Sequence, residues 1–180
     1  MGFHHTAFAT RDLEGTHQFY SAAMGFDLVK VAVGPTEGGG WAKHLFYEIT
    51  KDEYIAFWDL HDDSLNPDWS PAISTSQGLP IWVNHLAFRA NDLSDLATRR
   101  QRWLDHGHDV TEIDHGWCSS IYTVDPNGIL VEFCTTTQAM TQKDRDEARR
   151  LLADPHPPLD APPQVIMHRA RSKKVAAAAM

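Results

Sequence analysis

The sequence predicts an α+β fold, two tandem β-α-β-β-β modules whose strands form a curved mixed sheet around a cleft. Three observations carry this prediction. The first is an internal repeat: residues 5–13 read HTAFATRDL and residues 85–93 read HLAFRANDL, the pattern H-x-A-F-x-x-x-D-L twice. The second is that the likeness continues downstream. GFDLVKV (25–31) matches GHDVTEI (107–113), and GWAKHLFYEI (40–49) matches GWCSSIYTVD (116–125) at an offset of 76. The same offset sets EYIAFWDL (53–60) against ILVEFCTT (129–136). The third is the punctuation of the helical stretches, each preceded by Asp and closed by Gly.

Taken in order, each module opens with a short strand that runs into Asp-Leu. LEGTHQFYSAAM then reads as a helix between Asp12 and Gly25, and LSDLATRRQRWLDH as its counterpart between Asp92 and Gly107. Three strands follow in each case. This gives a first module over 1–60, a linker over 61–80, a second module over 81–136 and a C-terminal segment over 137–180. The linker, HDDSLNPDWSPAISTSQGLP, is rich in Pro, Asp and Ser. In the C-terminal segment TQKDRDEARRLL reads as a short helix, and DPHPPLDAPP excludes regular structure through its prolines. HRARSKKVAAAAM reads as a mobile basic tail.

Composition narrows the function. Apolar residues make up 42%, charged residues 22%, and the formal charge is −8. An acidic chain lacks the basic footprint of a nucleic-acid binder. No apolar run approaches the length of a bilayer span, and the first residues do not resemble a signal peptide. Cys118 and Cys134 both fall in strand-like segments and suit free thiols in a reducing cytoplasm.

Glu132 raises a question, because it sits inside the apolar run ILVEF. A buried carboxylate is costly unless paired or bound to a metal. Strand side chains alternate faces, so His5, Ala7 and Ala9 share one face, as do His85, Ala87 and Arg89, and as do Leu130, Glu132 and Cys134. If the two modules curve together, His5, His85 and Glu132 converge on one cleft. Two imidazoles and one carboxylate form the facial set associated with non-haem Fe(II), with open coordination positions. The repeat places Ala56 where a fourth ligand would stand. Tyr122, whose counterpart is Phe46, brings a hydroxyl to the cleft side.

At this point the residues resemble a known family. The doubled module resembles the vicinal oxygen chelate superfamily, with its glyoxalase/dioxygenase-like fold, over residues 3 to about 136. IDHGWCSSIYTVDPNGILVE (113–132) is similar to the signature of type I extradiol ring-cleavage dioxygenases, through His115, Ile121, Tyr122, Asp125, Pro126, Gly128 and Glu132. The resemblance implies Fe(II) on His5, His85 and Glu132, with Mn(II) an alternative. It implies a Tyr122 hydrogen bond to a catecholate oxygen, and His115 near substrate or oxygen. It also implies an aromatic diol and O2 as partners, a role in aromatic hydrocarbon catabolism, and a homo-oligomer. One departure stands out: the segment KDEYIAFWDL lacks the acid-base His of the family's first module. His44, on the neighbouring strand, is the candidate for that proton transfer. Trp41, Trp58, Trp69 and Trp117 are candidate aromatic walls. Two rival functions stay open, a glyoxalase-type lyase or isomerase using Zn or Ni, and a metal-free drug-binding protein on the same scaffold.

Overall fold

The computed structural model describes residues 2–171. The first module runs β1 (His5–Thr10), α1 (Leu13–Gln18), β2 (Asp27–Pro35), β3 (Trp41–Thr50) and β4 (Glu53–His61). The second runs β5 (His85–Arg89), α2 (Leu93–Asp105), β6 (Val110–Asp114), β7 (Cys118–Val124) and β8 (Leu130–Thr136). The four strands of the first module are ordered β1-β4-β3-β2, and those of the second β5-β8-β7-β6. In both, the first strand lies parallel to the last and the other pairings are antiparallel. The repeat read from the sequence is therefore a repeat of topology.

Local chemistry explains the helix boundaries. The Asp12 carboxylate accepts from the Gly15 amide at 2.8 Å and that of Asp92 from the Asp95 amide at 2.8 Å. Each satisfies an amide that has no partner within its helix. Gly25 (φ 78°) and Gly107 (φ 88°) follow the helices in the left-handed region. The first helical stretch is not uniform. After Gln18 it widens into a π-turn over Phe19–Ala23, where the Met24 amide bonds the Phe19 carbonyl five residues back at 2.9 Å. The wider turn carries Phe19, Tyr20 and Ala23 into the core.

One apolar core joins the modules. It takes Phe19, Tyr20 and Phe57 from the first and Trp103, Ile121 and Phe133 from the second. Phe26 bridges them, its ring 5.2 Å from Phe88 and 6.3 Å from Phe133. A buried polar chain runs alongside. The Tyr20 hydroxyl donates to Asp125 Oδ2 at 3.0 Å, and Asn127 Nδ2 donates to Thr16 Oγ1 at 3.1 Å. Asp125 and Asn127 belong to the Asp-Pro-Asn-Gly turn, which Gly128 completes at φ 73°.

The C-terminal segment holds α3 (Gln142–Ala153), opened by a capping box between Thr141 and Asp144, with no side chain buried. It also holds an element the sequence did not announce. β9 (Gln164–His168) pairs antiparallel with β6 and makes the second sheet five-stranded. Glu112 accepts from Arg100 and from His168, and Asp109 accepts from Arg169 and from the Ala170 amide. The segment predicted as tail thus contributes His168 to a strand, while residues 172–180 lie outside the described residues. Among the described residues nothing pairs with the outer edge of β2, the strand equivalent to β6 in the first sheet, and Val29, Val31 and Val33 are exposed. No helix among the described residues is long and apolar enough to cross a membrane.

Candidate functional site

Register places the expected residues on one face of each sheet. In the first, His5, Ala7 and Ala9 stand beside Tyr54, Ala56 and Trp58 of β4, and Phe46 and His44 lie opposite Ala56 and Trp58. In the second, His85, Ala87 and Arg89 stand beside Leu130, Glu132 and Cys134, with Tyr122 opposite Glu132. Ala56 therefore occupies the position of Glu132, and Phe46 that of Tyr122, as the offset predicts. The reverse faces send Phe57, Leu45, Phe133 and Ile121 into the core. His5, Ala7, His85 and Ala87 are open to solvent.

Glu132 is 5% exposed, and its Oε2 lies 3.1 Å from His85 Nε2. His85 Nδ1 is 3.1 Å from the Trp82 carbonyl, an oxygen that can only accept. The ring therefore carries a proton on Nδ1. In its neutral form Nε2 then presents a lone pair to the carboxylate, and two electron-rich atoms at that distance require a cation or proton between them. This chemistry fits a divalent metal held by His85 and Glu132.

The third expected ligand is placed elsewhere. His5 Nδ1 lies 2.8 Å from His4 Nδ1, and its ring packs against Phe46 and His44, at 5.5 and 6.1 Å between centroids. Among the described residues no three His, Cys, Asp or Glu side chains are close enough to share a metal. A single chain thus forms a two-donor pair, with His5 on the other sheet. Face alternation was legible in the sequence, but the separation between the two faces was not.

The proton-handling candidates are more sharply placed. His115 Nε2 and the Tyr122 hydroxyl form a 3.0 Å hydrogen bond. Burial, and then the nearby Glu132 charge, raise the Tyr122 phenol above its ordinary pKa. His44 stacks face to face on Trp58 at 3.7 Å, and its Nε2 is buried without a partner. Burial, followed by His5, lowers its pKa. Of the other tryptophans, Trp41 stacks on His61 at 3.8 Å and Trp69 lies under Arg11. Trp117 is half exposed.

Sequence reasoning gave no role to one neighbour on the Tyr122 face, Ser120. Its hydroxyl is fully buried, unpartnered, and directly opposite Cys134 on the same face. A Ser two residues before Tyr122 shares its face by period 2, and that was the available signal. Cys118 and Cys134 are free, as expected, and burial followed by Cys134 pushes the Cys118 thiol up to about 11.

The family profile of the Glyoxalase/Bleomycin resistance protein/Dioxygenase superfamily matches residues 2–133. The chain belongs to this superfamily. Solved structures share its fold. A glyoxylase/bleomycin resistance protein/dioxygenase domain from Frankia sp. EAN1pec superposes with a TM-score of 0.56 at 16% identity, covering 76% of this chain and 98% of that one. TnmS3, an antibiotic binding protein from Streptomyces sp. CB03234, gives 0.51 at 18% identity, covering 76% and 97%. Lactoylglutathione lyase from Agrobacterium tumefaciens gives 0.50 at 19%, covering 74% and 92%. No curated protein matches the sequence significantly.

Proposed function

We propose that the chain is an extradiol dioxygenase that opens the aromatic ring of a catechol-type diol with O2 at a non-haem Fe(II) centre. The observation that carries this reading is the Tyr122–His115 hydrogen bond set beside the His85–Glu132 pair. His85 and Glu132 would hold the iron with His5, and bound Fe(II) would supply the means for the diol and dioxygen to react. The chain's own residues do the rest. The Tyr122 hydroxyl, protonated at neutral pH, donates a hydrogen bond to one oxygen of the bound diol. His115 donates Nε2–H to the Tyr122 oxygen, which holds that hydroxyl in place and lets a proton pass through it to the ligand. His44, whose buried Nε2 has no hydrogen-bond partner beside Trp58, would accept a diol proton in place of the His missing from β4. Trp58 and Phe46 offer flat surfaces to an aromatic ring.

The separation of His5 from the pair supports assembly as a homo-oligomer in the same reading. The His5 face of one copy would meet the His85–Glu132 face of another, both faces being open in the single chain. Mixing a His5→Ala chain with a Glu132→Ala chain should then restore turnover that neither shows alone.

The reading is tested by purifying the protein without oxygen, measuring iron, and adding catechol or 2,3-dihydroxybiphenyl. Oxygen uptake with a yellow ring-opened product is expected. Tight zinc with no oxygen uptake would instead place the chain with the lyases and isomerases, and binding without any metal would place it with the drug binders.

A further inference from the structure

One cavity, of about 720 Å³, lies at the end of the second sheet. It is lined by Tyr122 and Leu130 from the cleft face, by Thr111, and by Met167 and Arg171 from and beyond β9. The wall is continuous: Thr111 pairs with Tyr122 on one side and Met167 on the other, and its hydroxyl donates to Met167 Sδ at 3.0 Å. Residues 164–171 lie beyond the stretch that matches the superfamily, so this wall is an addition to the shared fold.

The charges around the cavity are unequal in their commitments. Asp109 already accepts from Arg169 and from the Ala170 amide. His106 and His108 also line it, and burial, followed by His106, lowers the His108 pKa. Arg171 forms no ion pair among the described residues. One guanidinium is therefore available in the wall of a cavity that Tyr122 also lines. A guanidinium fork matches a carboxylate in both shape and charge.

We propose that residues 164–171 form a specificity wall, in which Met167 bounds the cavity and Arg171 selects a diol carrying a carboxylate side chain. The diol half of this ligand rests on the ring-cleavage reading, whereas the anion half rests on the cavity alone.

Titrating the full-length protein with catechol and with 3,4-dihydroxyphenylacetate, by calorimetry or tryptophan fluorescence, tests the wall. The carboxylated diol should bind about tenfold more tightly at low salt, with the advantage shrinking as salt rises. Arg171→Gln should abolish the preference, Arg171→Lys should retain part of it, and Met167→Trp should weaken both ligands by filling the cavity. Equal affinity for the two diols, or a preference that survives Arg171→Gln, would overturn the proposal. Oxygen uptake separates the two readings. Tight, Arg171-dependent binding without turnover of any diol removes ring cleavage and leaves the wall, whereas turnover with no preference removes the wall.

Discussion

Glu132 shows how one residue can be out of place in its strand and in place in its site. Its neighbours Val131 and Phe133 face the core, while it turns to the cleft and meets His85. Substituting Glu132→Gln keeps the shape and removes the charge that a divalent cation needs. Under the ring-cleavage reading, iron should then be lost on gel filtration while the melting temperature stays near that of the parent. Tyr122→Phe should behave differently. Iron content should be unchanged, and kcat/KM on catechol should fall about 100-fold, the scale of a lost acid-base contact. Unchanged turnover in that variant would remove Tyr122 from the chemistry. For His44, replacement by Ala makes the same point, since an inert stacking partner for Trp58 would leave the pH profile of kcat/KM where it was.

At the scale of elements, β9 depends on two carboxylates of its neighbours. Glu112 is shared by Arg100 and His168, which hold its carboxyl below the usual range despite its partial burial. Glu112→Gln should speed amide hydrogen exchange along β9 while leaving β7 and β8 protected. This contrast also explains what was legible. Helices α1 and α2 were read correctly because their stop and start signals are local, Asp before and Gly after. The strands of both modules were read because period 2 and a repeat reinforced each other. β9 was not, because a five-residue strand after a run of prolines has no local signature, and its hydrogen bonds come from β6, fifty or more residues away. The π-turn after Gln18 escaped for a related reason: helical periodicity does not distinguish turns of slightly different pitch over one revolution. The shared face of His85, Glu132 and Tyr122 followed from alternation, whereas His115, which lies between β6 and β7, came only from the family resemblance. The distance of His5 from them depends on how Phe26, Phe88 and Phe133 seat one module against the other, which no repeat encodes.

For the whole molecule, the bridge between modules matters most. Tyr20 and Thr16 on one side meet Asp125 and Asn127 on the other, through buried hydrogen bonds. Removing the Tyr20 hydroxyl takes one of two donors from Asp125 Oδ2, the other being Asn127 Nδ2, so Tyr20→Phe should cost about 1 kcal/mol in denaturant unfolding. Asp125 also links folding to pH. Burial raises its folded-state pKa, outweighing the donors from Asn127, Ile129 and Tyr20. A raised acid favours the folded state when protonated, so its contribution is present below its unfolded pKa and is lost as pH climbs through the folded value. Compared with Asp125→Asn, the parent protein should therefore lose relative stability from about pH 4 upward, measured as the difference in denaturant midpoints across that range.

The uncovered β2 has its own consequence for anyone handling the protein. The outer edge of a nine-residue strand, paired to β3 on its other side and carrying exposed valines, with Lys30 the lone charge near its middle, offers any passing strand a template for sheet extension. Concentrated samples should clump through this rim before they unfold, and a second lysine at Val31 should keep them clear.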